Sequence, residues 1–173
     1  MPEPVMTCQS CGMPLATPDD RGTEADGTPS PYYCRYCYRG GAYTEPGITI
    51  EEMAERGGEM MATMFQIPPD RARDFSLQQL RPLLRWSGRL VPSCGSCGMP
   101  LFEDGDAGTE ADGSPSTRYC VHCYRDGTFT QPDLTRESMI EQYAPLLAKE
   151  LGMPLEQARA MVTAFTATLP RWG

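Results

Sequence analysis

The chain has 173 residues, 15 basic and 23 acidic side chains, and a formal charge of −8. That length accommodates one ordinary domain or two small ones, and no apolar run is long enough to span a membrane. The acidic balance repels phosphate backbones and no basic stripe offsets it; every cation is an Arg except Lys149.

In chain order, Met1-Pro2-Glu3-Pro4 lacks the basic and apolar segments of a signal peptide. The expected setting is a reducing cytoplasm, where close cysteine pairs are metal ligands rather than disulfides. From Cys8 to Gly41 the sequence is dense in Gly, Pro, Asp, Ser and Tyr, which suits short strands and tight turns. Its middle reads Gly-Thr-Glu-Ala-Asp-Gly, and Asp26-Gly27 is a good hairpin-turn dipeptide. This predicts a three-stranded antiparallel ribbon with its cysteine pairs on two loops at one end.

Helical signals follow. Thr49 and Glu52 fit a capping box, and Met53, Met60, Met61, Met64 and Phe65 then recur at helical spacing. Gly57-Gly58 interrupts this segment, which predicts a kink or two short helices. Helix packing on the ribbon is the expected use of the methionine face at Met60, Met61 and Met64, with an adaptable partner groove as the alternative. Pro68-Pro69-Asp70 starts a further helix, whose apolar face is Ala72, Phe75 and Leu83. Trp86 closes the segment.

The pattern then repeats. Cys94/Cys97 and Cys120/Cys123 reproduce Cys8/Cys11 and Cys34/Cys37 with a shift of 86 positions and no gap, and 22 residues separate the pairs in each set. Gly108 to Gly113 repeats the turn sequence, with Asp112-Gly113 in the turn. Met139, Ile140, Tyr143, Leu146, Leu147 and Leu151 give the next helical face, and Pro145 stands near the place of the earlier Gly pair. Pro154-Leu155-Glu156 starts the last helix, with Ala158, Met161, Val162, Phe165 and Leu169 on one side and Trp172 at the end. The expected fold is small, metal-stabilised α+β: module one over 1–86, a linker over 87–93, and module two over 94–173, each a ribbon followed by a helical hairpin. A core of that size is modest, so a metal staple is physically useful.

Four cysteines at this spacing suit one tetrahedral zinc ion. A Cys-x-x-Cys turn puts two sulfurs on one side of the metal and aims backbone N–H groups at them. Gly12 and Gly98 follow the second cysteine, where such a turn often needs positive φ. Cys8, Cys11, Cys34 and Cys37 form one ligand set and Cys94, Cys97, Cys120 and Cys123 the other, two zinc ions in all. With the thiols ionised, two such sites take the chain to a charge of about −12. A thioredoxin-like use would need a βαβ context, which is absent. Rubredoxin-like iron is the stronger rival, but Tyr38 and Tyr124 follow the last cysteine where a small residue would be expected.

Other candidates have simpler readings. His122 lies between two ligand cysteines, but Tyr36 is its counterpart, so a surface ring is expected. Arg39 and Arg125 could neutralise the thiolates or be solvated. The pairs Glu24/Asp26 and Glu110/Asp112 read as turn residues rather than a catalytic dyad. Tyr33, Tyr38 and Tyr43 recur as Tyr119, Tyr124 and Phe129, which favours packing over base stacking. Four sulfurs saturate each metal and no nucleophile–base pair or phosphate loop is present, so no catalytic residue is assigned and no enzyme is expected.

Cys8-Gln9-Ser10-Cys11-Gly12-Met13-Pro14-Leu15, the Gly-Thr-Glu-Ala-Asp-Gly turn and Tyr33-Cys34-Arg35-Tyr36-Cys37-Tyr38 resemble the bacterial "putative zinc ribbon domain" family. Gly152 to Arg159 and Arg171-Trp172 resemble that family's helical tail. The resemblance implies metal ligation at all eight cysteines and carries no settled activity. Relatives occur as single modules or as tails on other domains, some of them transcription regulators. This chain departs as a tandem copy with no regulator attached.

The function expected is a structural zinc protein acting as a non-enzymatic module for binding another protein, with regulation as one use. One alternative is a transcription-associated nucleic-acid binder, which would need Arg35, Arg39, Arg71, Arg73 and Arg85 on one face. Another is a redox or metal-responsive zinc switch.

Overall fold

The computed structural model describes residues 7–173. Met1 to Pro4, read above for a leader, lie outside them. The chain separates into two compact units. One holds the described residues up to Met60 together with Ala72–Leu90, and the other holds Met61–Arg71 and Val91–Gly173.

In the first unit, β1 (Arg21–Thr23) pairs antiparallel with β2 (Pro29–Cys34), and β3 (Tyr38–Arg39) pairs with β4 (Ala42–Tyr43). In the second, β5 (Ala107–Thr109) pairs with β6 (Pro115–Cys120), and β7 (Tyr124–Arg125) with β8 (Thr128–Phe129). The expected three-stranded ribbon is therefore corrected to two short hairpins per module. The N-terminal loop adds only a single bridge, Thr7 with Pro14 and Ser93 with Pro100. Proline offers no N–H to extend that ladder, and Pro29 and Pro31 thin the donors of β2 in the same way. The Asp-Gly turns form as expected: Gly27 and Gly113 sit at φ +84° and +81°.

Helices follow each ribbon. α1 (Ile50–Phe65), α2 (Pro69–Leu80) and the single turn α3 (Leu84–Ser87) come first; α4 (Arg136–Leu151) and α5 (Leu155–Thr166) repeat the pattern. Thr49 and Glu52 close the capping box, the Thr49 N–H donating to Glu52 Oε2 at 2.8 Å and the Glu52 N–H to Thr49 Oγ1 at 3.2 Å. The alternative of two short helices at Gly57-Gly58 and Pro145 is not met: α1 and α4 are each one helix of 16 residues. The glycines serve close approach instead. A Cβ on Gly57 would lie 2.6 Å from Ser76 Oγ, and one on Gly58 2.7 Å from the Arg73 Cα.

That contact also decides which face of α1 is buried. Ala54 and Gly58 are buried and stand one turn apart; Gly58 lies against Ala72 and Arg73 of α2. Of the methionines, Met53 packs against the ribbon core, while Met60 and Met64 are exposed. At the matching places in module two, Ile140, Ala144 and Val162 form a small core between α4 and α5, with Leu147 against it, and Tyr143 and Leu146 are exposed. Within the second unit, Arg71 Nη1 donates to the carbonyls of Lys149 and Glu150 at 3.1 Å each, satisfying acceptors at the end of α4. Among the described residues no helix is long and apolar enough to cross a membrane.

Candidate metal centres

Cys8 and Cys11 lie on the loop closed by the Thr7–Pro14 bridge, Cys34 ends β2, and Cys37 immediately precedes β3. Two hydrogen bonds shape the loop: the Gly12 N–H donates to the Cys8 carbonyl and the Cys8 N–H to the Met13 carbonyl, both at 2.8 Å. The positive φ expected at Gly12 and Gly98 is present, at +78° and +77°. In module two a further demand falls on Gly98, because a Cβ there would clash with Cζ and Cε1 of the Phe165 ring.

The sulfurs of Cys8, Cys11, Cys34 and Cys37 all lie within 4.8 Å of one another, as do those of Cys94, Cys97, Cys120 and Cys123. A zinc–sulfur bond of about 2.3 Å implies a tetrahedron with edges of about 3.8 Å. Cys11 and Cys34 are 3.8 Å apart at Sγ, and Cys97 and Cys120 are 3.7 Å apart. The donor sets therefore fit two zinc ions, one in each module. All eight cysteines predicted as ligands are gathered in this way, each set within its own module.

The surroundings favour negative sulfur. The Cys34 N–H donates to Cys8 Sγ at 3.2 Å, and the Cys120 N–H to Cys94 Sγ at 3.3 Å. Hydrogen bonding from Cys11, then from Cys34 and Cys37, holds the Cys8 thiol far below its ordinary range; Cys123 and Cys97 do the same for Cys94. Cys34 is lowered to about 7, chiefly by its contact with Cys11. In the same contacts other thiols move the other way: the contact with Cys34 raises Cys11 most, and that with Cys94 raises Cys123 to about 12. Four negative sulfurs crowded within 4.8 Å repel one another, which opposes their ionising together. A divalent cation supplies the charge that lets them do so, and with four sulfurs bound it keeps no open position for a substrate.

A second layer of contacts ties the C-terminal end of each module to its first cysteine loop. The Trp86 Nε1–H donates to the Ser10 carbonyl and the Trp172 Nε1–H to the Ser96 carbonyl, both at 2.7 Å. Arg85 Nη1 donates to Ser10 Oγ and Arg171 Nη1 to Ser96 Oγ, both at 3.0 Å. The other guanidinium nitrogen donates at 2.6 Å to the carbonyl of Glu45 or Gln131. Each guanidinium also covers an aromatic face, 4.0 Å from Tyr43 and 3.9 Å from Phe129. Sequence reasoning noticed the recurrent Trp but missed Arg85, Arg171, Ser10 and Ser96 as its partners. The signal was available in the shared spacing of Ser10, Arg85 and Trp86 with Ser96, Arg171 and Trp172.

The remaining candidates fall outside the ligand sets. Arg39 Nε donates to the Arg35 carbonyl at 2.9 Å and Arg125 Nε to the Val121 carbonyl at 3.1 Å, so each braces the second cysteine loop through its backbone. His122 is exposed, as expected for a surface ring. Asp26 Oδ1 accepts from the Thr28 N–H and hydroxyl at 2.9 and 2.6 Å, and Asp112 holds Ser114 in the same way, so these carboxylates serve turns. Tyr33, Tyr38 and Tyr43 pack at ring separations of 4.9 to 5.5 Å beside the cysteines, and Tyr119, Tyr124 and Phe129 repeat the cluster. Burial, and then the hydrogen bond from the Tyr43 hydroxyl, push the Tyr33 phenol well above its ordinary range.

Two stretches of the chain, residues 7–87 and 93–173, each match the family model described as "Putative zinc ribbon domain". No curated protein and no solved structure matches the chain.

Proposed function

Because the chain belongs to the "putative zinc ribbon domain" family, represented twice along its length, we propose that its two zinc-clasped modules form a non-enzymatic scaffold for binding another protein, with a regulatory role in the cytoplasm. The metal's part is structural: the four sulfurs of each set hold together a module whose own core is small. The observation that carries the interaction reading is an exposed apolar position shared by both copies. Met60 on α1 is 61 % exposed, and Leu146, 86 positions later on α4, is 62 % exposed. Met64 on α1 is exposed as well. Flexible methionines suit an adaptable apolar contact. Against nucleic acid stand the net charge of −8 and the commitment of Arg85, one of five cations such a face requires, to Ser10 and Glu45.

The test is capture from the protein's own cytoplasm by the zinc-loaded chain and by the double variant Met60→Glu/Leu146→Glu. A partner held by the parent and lost by the variant, with two zinc ions retained in both, supports the reading. Equal capture by both, or none by either, overturns it. Retention of nucleic acid at low salt would replace it with the alternative.

A further inference from the structure

The two metal centres differ in how well the last cysteine of each set is covered. In module one, Glu45 and Arg56 form a bidentate ion pair with contacts of 2.6 and 2.8 Å. Glu45 directly follows Thr44, whose N–H donates to the Cys37 carbonyl at 3.0 Å, so the backbone next to the pair is tied to that ligand. Cys37 is buried, at 7 % exposure. A shift of 86 positions turns Glu45 and Arg56 into Gln131 and Gln142, replacing both charges of the pair with neutral amides. There, Cys97, Cys123, His122, Gln131, Gln142 and Tyr143 line a cleft of about 130 Å³. Cys123 is only half-buried, unlike its counterpart Cys37. Water occupies about 30 Å³ in the liquid, so the cleft has room for a molecule the size of hydrogen peroxide.

We propose that Cys97 and Cys123 are an oxidation site for small peroxides, and that the second zinc centre gives up its metal through them while the first is protected. The inference rests on the metal centres and is independent of the partner reading. Zinc, when bound, keeps the four thiols deprotonated and so nucleophilic. Cys123 Sγ attacks one peroxide oxygen; the O–O bond breaks, a sulfenic acid forms, and hydroxide leaves and takes a proton from solvent. The Cys97 thiolate, whose sulfur lies within 4.8 Å, then attacks that sulfur. The S–S bond forms, the S–O bond breaks, and a second hydroxide is protonated to water. The two sulfurs lose two electrons and the peroxide gains them. Cys94 and Cys120 are left as two donors where the metal needs four, so the cation dissociates.

The experiment follows zinc release from the full chain, loaded with two equivalents, into a chromogenic chelator during treatment with hydrogen peroxide. Peptide mass spectrometry identifies the oxidised cysteines at each time. The expected result is one equivalent released about tenfold faster than the other, with a Cys97–Cys123 disulfide forming in step with it. Installing the ion pair with Gln131→Glu/Gln142→Arg should slow the fast phase toward the slow one, and Glu45→Gln/Arg56→Gln should speed the slow phase. Release of both metals at one rate, first oxidation at Cys11 or Cys37, or a fast phase unchanged by the installed pair each overturns the proposal.

Discussion

Arg171→Met is the most informative single change outside the ligands. In the native module, Arg171 donates to Ser96 Oγ at 3.0 Å and to the Gln131 carbonyl at 2.6 Å, and its guanidinium lies 3.9 Å from the Phe129 ring and 4.5 Å from the Trp172 ring. Hydrogen bonds from a charged donor contribute about 1.5 kcal/mol each at the low end, and half-buried cation–π contacts about 0.5 kcal/mol each. Met keeps much of the apolar stem, so the net loss is about 3–4 kcal/mol. For a unit of this size each kcal/mol shifts Tm by roughly 4–8 °C, which places the expected fall at roughly 12–30 °C. Differential scanning calorimetry of the zinc-loaded chain should show the transition of the second module moving down while that of the first stays in place. Arg171→Lys keeps the charge without the planar fork and should fall between parent and Met variant. A shift below about 4 °C, or an equal shift of both transitions, would refute the claim that this side chain clasps the second metal loop.

The duplicated design makes further outcomes specific. Cys34→Ser removes a donor from the first set alone, so elemental analysis should fall from two zinc ions to one, with the second module's hydrogen-exchange protection intact; loss of both metals would mean that ligands are shared. Gly58→Ala forces a Cβ to within 2.7 Å of the Arg73 backbone and should cost about 1–3 kcal/mol in urea unfolding of the first module, whereas an unchanged midpoint would deny the close approach of α1 and α2. Asp112, in an exposed turn, is held below its ordinary carboxylate range by the Ser114 hydroxyl and then the Ser114 N–H. Its stabilising effect is therefore fully present above the unfolded carboxyl pKa of about 3.9 and lost as pH falls through the lower folded value. The stability difference between parent and Asp112→Asn should be constant from neutral pH down to about 5 and shrink below about 4, the metal-linked acid sensitivity common to both cancelling in the comparison. A difference independent of pH over that range would rule out the proposed turn contact.

Much of the candidate site was legible because its logic is local. A Cys-x-x-Cys turn prepares two sulfurs through backbone geometry within a few residues, and the repeat at Cys94 to Cys123 shows that each copy has a full set of four. The capping box at Thr49 and Glu52 and the Asp-Gly turns were legible for the same reason, since all their partners lie within three residues. The Arg-Trp clasp was harder to see, because Ser10 and Trp86 are 76 positions apart and nothing in either local sequence points to the other.

The sequence by itself determined the two modules and the chemistry of their metal centres. Ligand type and spacing bound the coordination, and a gapless duplication fixes the number of sites. Only the tertiary structure decided which helix faces are covered. Gly57-Gly58 reads as a break until α2 is seen lying against it, and Met60 and Met64 read as core until Ala54 and Gly58 are seen taking that side. Helical spacing states that residues share a face, but burial depends on the shape of the neighbour, which enters only when distant segments meet.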